Sequence, residues 1–185
     1  RMDILVQRVD AKGNMLWREG GMPLEINSAA EGAFPIEPRL VSDSSGGAII
    51  TWRDSRENRS VYAQRVEGDG TISWQAGGVK VASTSLNPHT MIVSDGAGGA
   101  IVSYVLEEGL YVQRLNGNGE TVWLENGIRV IDDEYQGYSI APDGQEGVIV
   151  GWGVGKGMFS SEKAFAQRVS ADGKPVWGEG TQLNK

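Results

Sequence analysis

Adjacent pairs of carboxylates are the side chains of this sequence with the most obvious capacity for chemistry. They occur as Glu107–Glu108 and as Asp132–Asp133, the second pair within the acidic run IDDEY. Two carboxylates that face each other across about 5–9 Å support glycoside hydrolysis, and several converging oxygens bind calcium. Adjacency in sequence demonstrates neither arrangement, and solvated loop charge is the simpler interpretation. We therefore predict no catalytic residue and no metal ligand.

Two other features resemble catalytic motifs only superficially. His89 is the single histidine, and a lone histidine near the start of a strand is usually solvated rather than part of a metal site or a Ser-His-Asp triad. The stretch GVGKG at 153–157 lacks the residue order of a phosphate-binding loop, and no helix pattern follows it. We predict no cofactor.

An internal repeat reveals the elements that must position these residues. The pair Gln-Arg occurs four times, and a tryptophan follows each glutamine by ten residues. A turn sequence rich in Asp, Asn and Gly lies between them, as in a β-hairpin. The glutamines are Gln7, Gln64, Gln113 and Gln167, and the tryptophans are Trp17, Trp74, Trp123 and Trp177.

A second motif precedes Gln-Arg in three of the copies. An aspartate opens a glycine-rich turn, and an aromatic residue follows it by nine positions; the pairs are Asp43 with Trp52, Asp95 with Tyr104, and Asp143 with Trp152. The two motifs together predict a unit of about fifty residues with four short antiparallel strands, A to D.

Strand C of this unit is largely apolar on both faces, as VYAQRV at 61–66 illustrates. A sheet that is apolar on both faces must be covered on both sides by neighbouring sheets. Four-stranded meanders stacked in this way predict an all-β fold with β-propeller-type blades. A β-sandwich is the alternative, but it does not explain so regular a four-strand period.

The phrases YAQRV at 62–66 and VSDGAGGAIV at 93–102, with the Asp-Gly turn before Trp74, resemble the repeats of bacterial extracellular β-propellers in large secreted or surface proteins. The resemblance covers nearly the whole chain. It implies the fold and an extracellular or cell-surface location, but not a function, because propellers host many functions. The turn also resembles the Asp-box of sialidase-like propellers, yet Gly70 to Trp74 is one residue too long, so we carry over no sialidase activity.

The repeat predicts one segment, 1–185, with about three and a half blades: a half blade at 1–30 and blades at about 31–85, 86–133 and 134–185. Because the first strand has the pattern of strand C, we expect a piece of a longer polypeptide or one protomer of a ring. Propellers close with at least about four blades. We therefore expect further blades from the rest of the polypeptide or from other protomers.

Repeat spacing separates the loops into two sets. The A–B and C–D intervals are constant, whereas the B–C interval is ten, seven or thirteen residues and the D–A interval is 26, 21 or 20. In a meander these two sets lie on opposite rims, and individual loops on a rigid scaffold are where binding occurs. The predicted binding residues of the variable rim are Arg53, Asp54, Arg56, Glu107, Glu108, Asp132, Asp133 and Tyr138.

Residues that recur in every blade are expected to have framework roles. We expect each motif arginine to be partly buried and to pair with a carboxylate or carbonyl, with Asp43, Asp95 and Asp143 as candidates, rather than to form an anion site. These aspartates should accept hydrogen bonds from turn amides rather than bind calcium. The motif tryptophans should staple the outer hairpin rather than stack on sugars.

Composition restricts the partners. The formal net charge of −7 argues against nucleic acid and anionic membranes, no apolar stretch is long enough to insert in a membrane, and the absence of cysteine excludes disulfides. The leading hypothesis is a non-catalytic β-propeller scaffold or interaction module of a secreted or surface bacterial protein that binds protein or glycan at its variable rim. The alternative is part of a propeller glycoside hydrolase or lyase, in which acids of that rim would converge.

Overall fold

The computed structural model describes residues 3–24, 34–55, 59–83, 89–132, 135–155 and 163–184. In these ranges every regular element is a β-strand, and no helix long and apolar enough to cross a membrane occurs there. The strands are β1 Leu5–Val6, β2 Met22–Pro23, β3 Ile36–Ser42, β4 Ala48–Asp54, β5 Ser60–Val66, β6 Val79–Ala82, β7 Met91–Ser94, β8 Ala100–Leu106, β9 Gly109–Leu115, β10 Ile128–Ile131, β11 Gly137–Pro142, β12 Val148–Val154, β13 Lys163–Val169 and β14 Thr181–Gln182.

Consecutive strands form three four-stranded antiparallel meanders and one two-stranded sheet. The two-stranded sheet, β1-β2, is the N-terminal half blade. The first blade is β3-β4-β5-β6, the second is β7-β8-β9-β10, and the third is β11-β12-β13-β14. The fold is therefore all-β with four-stranded blades of the propeller type, about three and a half of them, as the repeat predicts.

Each middle blade buries both of its faces, because alternate residues of a strand point to opposite sides. In β4, Ile49 belongs to a core shared with Tyr104 of the second blade, whereas the next residue, Ile50, belongs to a core shared with Leu24 beside the half blade. A third core joins Ile101 of the second blade to residues of the third. The sheets are thus stacked in series, which a two-layer sandwich does not allow.

The glycine-rich A–B turn is closed by the aspartate that opens it. Asp43 Oδ1 accepts hydrogen bonds from the amides of Ser45 and Gly47, each at 2.8 Å. A Cβ on Gly47 would lie 2.2 Å from the carbonyl oxygen of Val66, so only glycine fits where the strands meet. The corresponding aspartates make the same pair of bonds, which confirms their predicted role in the turn: Asp95 and Asp143.

The side chain of the motif glutamine stabilises the C–D hairpin by hydrogen bonds to its backbone. Gln64 Oε1 accepts from the amides of Arg65 and Trp74, and Gln64 Nε2 donates to the carbonyl of Gln75 at 2.8 Å. A buried amide side chain must satisfy its polar atoms, and this arrangement does so. The glutamines of the other hairpins repeat the pattern: Gln7, Gln113 and Gln167.

The motif arginine and tryptophan join each blade to the next. Trp74 Nε1 and Arg65 Nη1 of the first blade both donate to the carbonyl of Gly117 in the C–D turn of the second, at 2.9 and 3.2 Å. Gly68 receives the equivalent pair from the half blade, and Ala171 receives it from the second blade. The tryptophan side chain was predicted to staple its own hairpin; it instead staples adjacent blades.

Candidate functional site

The Arg-Asp pairs on the constant rim have framework roles. Arg65 Nη2 lies 3.0 Å from Asp43 Oδ2, and the other two pairs are Arg114 with Asp95 at 2.9 Å and Arg168 with Asp143 at 2.8 Å. This confirms the predicted arginine role. These repeated side chains are already engaged within the blade stack, which leaves the variable rim as the candidate surface for ligand binding.

Burial and hydrogen bonding have opposite effects on the pKa of two aspartates of the constant rim, Asp43 and Asp143. Burial by itself would raise the pKa of Asp43, but the bonds from Ser45, the amide of Gly47 and Arg65 together lower the pKa below its usual value. The pKa of Asp143 is lowered in the same way, with burial again opposed by turn amides and Arg168. The charged form of both carboxylates is therefore the form that fits the fold.

At the variable rim, Arg53 and Asp54 end β4 in a buried position rather than on the surface. Arg53 Nη2 donates to Glu37 at 2.8 Å, and Trp52 Nε1 lies 3.4 Å from an Asp54 carboxylate oxygen. A buried charge is tolerated only when it is paired with a partner. The contacts of Arg53 and Asp54 therefore stabilise the end of β4.

Glu107 and Glu108 form the short exposed turn between β8 and β9. Asp132 follows β10, where its exposed carboxylate pairs with Arg129 Nε at 2.8 Å. The predicted residues Arg56 and Asp133 lie outside the described residues. The described members of the predicted set are thus distributed over different blades.

Tyr138 lies between the second and third blades. Its hydroxyl donates to the carbonyl of His89 at 2.6 Å and accepts from Ser103 Oγ at 3.2 Å, and its ring meets Tyr135 edge to face at 5.7 Å. Burial raises the pKa of Tyr138 to about 12, with the Ser103 bond acting in the opposite direction. These contacts indicate a blade-joining role for the tyrosine predicted as a ligand contact.

A cavity of about 660 Å³ lies between the second and third blades and includes Asp132. We call it the rim cleft. It is bounded by β10 on one side and by β12, β13 and the segment before β14 on the other. Its volume is in the range of small-molecule sites. Its principal side chains are Arg129, Asp132, Trp152, Lys163, Phe165 and Glu179.

Two stacked aromatic rings form the apolar part of the cleft lining. Trp152 and Phe165 are paired across β12 and β13, with centroids 5.7 Å apart and planes at 18°. A Cβ on Gly180 would lie 2.7 Å from Trp152 Cη2, so the glycine allows the indole to lie against the chain before β14. Trp152 is 9% exposed, so the half-buried Phe165 has more surface available to a ligand. Equivalent stacked pairs occur in the other two full blades: Trp52 with Tyr62, and Tyr104 with Tyr111.

Charged side chains provide the polar part of the lining. Arg129 and Lys163 contribute cations, and Asp132 and Glu179 contribute carboxylates. Together they provide several donors and acceptors beside the aromatic pair. The arrangement suits a neutral ligand with one apolar face and several hydroxyl groups.

Of these residues, the sequence analysis singled out Asp132 alone, although Lys163 ends the variable B–C loop 153–163, which is one of the candidate binding loops of this rim. It treated Trp152 as part of the blade motif and did not single out Lys163 or Phe165 as ligand contacts. The available signal was the B–C interval from Trp152 to Phe165, which at thirteen residues is the longest of the three.

Within the described ranges, no group of three or more His, Asp or Glu side chains is gathered closely enough to hold a metal ion. No protein-family model matches the sequence, and no curated protein shows significant similarity to it. The structure thus defines the class of the chain by its architecture: an all-β protein with propeller-type blades.

Proposed function

We propose that this chain is a non-catalytic β-propeller-type interaction module that binds a glycan in the rim cleft. The observation that carries the proposal is the stacked Trp152–Phe165 pair in a cavity of about 660 Å³ bordered by charged side chains. Ligand sites typically combine apolar and aromatic walls with a few polar groups that fix orientation. A sugar ring matches this combination because it has an apolar face and hydroxyls at its edge.

A concave cleft favours a glycan over a folded protein. Specific protein interfaces bury roughly 800 Å² on each partner, and the surfaces involved are mostly larger and flatter than this cleft. A protein ligand would therefore have to present a narrow projection to reach Phe165. The resemblance of the repeats to bacterial extracellular propellers supports the proposal that the module is secreted or exposed on a cell surface, where glycans are abundant.

The test is a binding screen of the whole chain against a glycan array, followed by calorimetry on the compounds retained. We expect Lys163→Ala to lower the affinity by about tenfold, which corresponds to about 1.4 kcal/mol for a lost charge-assisted hydrogen bond. Lys174→Ala is the matched control, since Lys174 is an exposed lysine of the same blade that lies outside the cleft lining. Equal loss in both variants, or protein ligands alone, would contradict the glycan site.

A second candidate is a glycoside hydrolase or lyase, and one observation favours it: Asp132 and Glu179 are two carboxylates that line the same cleft. Retaining and inverting glycosidases both use such a pair. We expect no turnover of a bound glycan in reducing-end and unsaturated-product assays. Turnover that Asp132→Asn or Glu179→Gln abolishes while binding persists would establish the enzyme instead.

A further inference from the structure

The exposed face of the third blade carries the same two motif side chains that join the blades at the internal interfaces. Trp177 and Arg168 occupy the positions from which Trp74 and Arg65 reach the next blade. Trp177 is 38% exposed, compared with 7% for Trp74 and 9% for Trp123. In the described part of the chain neither Trp177 Nε1 nor Arg168 Nη1 has a hydrogen-bond acceptor, so this face has a donor pair but no turn to receive it.

The N-terminal half blade carries the matching receptor at the other end of the stack. Gly68, Gly117 and Ala171 each accept a donor pair four residues after the motif glutamine, and the same spacing from Gln7 reaches Ala11. No described group donates to the exposed Ala11 carbonyl. The same kind of turn is therefore present on the half blade, and among the described residues its Ala11 carbonyl accepts no hydrogen bond.

A glycine of the same turn leaves space at the position where an indole ring packs in the other turns. Gly119 and Gly173 both have positive φ and lie directly against Trp74 and Trp123 of the preceding blades. Gly13, at the equivalent position, has a φ of +85°, and a Cβ placed on it would meet nothing within 4 Å. The backbone at Gly13 thus has the conformation of the docked turns, and no described tryptophan lies against it.

Side-chain sizes on the two open faces also match. The half blade exposes Leu5, Val9 and Met15, whose counterparts in the first blade, Tyr62, Val66 and Ile72, pack against the half blade. The third blade presents two small side chains beside the exposed Leu183. Ala164 stands where the earlier blades have Val61 and Leu110, and Ala166 stands where they have Ala63 and Val112. Bulky residues on one face and small ones on the other are complementary in shape.

We propose that the third blade docks head to tail on the N-terminal half blade of a second copy of this chain. Trp177 of one copy lies against Gly13 of the other, and Trp177 Nε1 and Arg168 Nη1 donate to the Ala11 carbonyl. Such an interface is heterologous, and two of them close a ring when the rotation allows. Two copies contain six four-stranded blades and two half blades, or about seven blades, which is within the range of about four to eight blades found in closed propellers.

The test measures the mass of the whole chain by sedimentation velocity and light scattering over a wide concentration range. We expect a species of twice 19.9 kDa in reversible equilibrium with the monomer. Trp177→Ala and Leu5→Asp alter opposite faces and should each raise the dissociation constant by at least about tenfold. Leu124→Asp is the control, because Leu124 is a similarly exposed leucine on the second blade and should leave the mass unchanged.

Mixing the two variants distinguishes head-to-tail pairing from pairing of like faces. The Leu5→Asp copy retains an intact third blade and the Trp177→Ala copy retains an intact half blade, so the mixture should associate more strongly than either variant alone. A wild-type chain that stays monomeric, association that only one variant weakens, or no gain on mixing would each overturn the proposal. None of these outcomes affects the rim cleft, which lies on the other face of the third blade.

Discussion

Arg65, Arg114 and Arg168 occupy one repeat position, yet their side chains are exposed by 15%, 9% and 27%. Arg114, the most buried of them, also bonds Glu146, and Arg65 also bonds Glu67 at 3.2 Å. Removing one partner of a buried ion pair leaves an uncompensated charge, and the cost increases with burial. The same motif residue should therefore differ in energetic importance from blade to blade.

We predict that Asp95→Ala lowers the free energy of unfolding by about 3 kcal/mol, because it removes the buried carboxylate beside the Arg114 guanidinium and leaves only the half-exposed Glu146 as an anionic partner. Asp143→Ala should cost less, since Arg168 is partly solvated. Urea unfolding followed by tryptophan fluorescence measures both. Asp172→Ala, at a solvated turn, is the control and should leave the midpoint unchanged; equal costs for Asp95 and Asp143 would contradict the burial dependence.

A pH dependence follows from the lowered pKa values of Asp43 and Asp143. An aspartate with a pKa lower in the folded than in the unfolded chain stabilises the fold at pH values above its unfolded pKa of about 3.9. This stabilisation is lost as the pH falls through the lower folded value. We predict that the free energy of unfolding decreases below about pH 4.

Asp43→Asn separates this contribution from general acid effects. The variant keeps the shape of the side chain but cannot titrate, so its unfolding free energy should be lower at neutral pH and should depend less on pH in the acid range. Chemical denaturation at a series of pH values measures the difference. Parallel curves for the variant and the wild type would show that Asp43 is not the titrating group.

At the scale of the elements, the C–D turns determine how blades stack. Gly119 has a φ of +82°, and a Cβ on it would lie 2.7 Å from Trp74 Cδ2, whereas Gly13 has nearly the same φ with open space around it. These two glycines therefore separate the cost of backbone strain from the cost of a steric clash between blades.

We predict that Gly119→Ala destabilises the protein by about 1–3 kcal/mol more than Gly13→Ala does in dilute monomer. Both substitutions strain a left-handed backbone conformation, but only the first pushes a methyl group into an indole ring. Paired thermal and urea unfolding measures the difference. Similar values would mean that the tryptophan does not pack on the glycine.

At the scale of the whole molecule, stability should be graded along the stack. The ladders β4-β5 and β8-β9 each pair seven residues and are covered on both sides, whereas β1-β2 and β13-β14 pair two residues each at the open ends. Local opening requires least free energy where few contacts and hydrogen bonds must break.

Hydrogen exchange should show this gradient directly. At concentrations where the chain is monomeric, we predict the strongest amide protection in β8 and β9 and the weakest in β1 and β14. Peptide-level mass spectrometry resolves these strands. At high concentration, protection of β1 and β14 should increase if the ends pair, and uniform protection in dilute solution would contradict the graded stack.

The sequence by itself determined the blade architecture. Three features carry this information: the spacing from glutamine to tryptophan, the Asp-Gly turns and the alternation of apolar residues. They are local properties of strands and hairpins, so they can be recognised from the sequence alone. The expected pairing of Arg65 with Asp43 followed from the same repetition, because a residue present in every copy has to fit every copy. The predicted function, location and partners did not have this support from local geometry.

Only the tertiary structure decided which side chains share a site. Asp132 follows a strand of the second blade, whereas Trp152, Lys163 and Phe165 belong to the third, and stacking brings them around one cleft. Arg53 and Tyr138 have types suited to binding, yet Arg53 is buried beside Glu37 and the Tyr138 hydroxyl is hydrogen-bonded between two blades. The physical reason is that blade packing decides which faces remain open, and that packing depends on contacts between residues far apart in the chain.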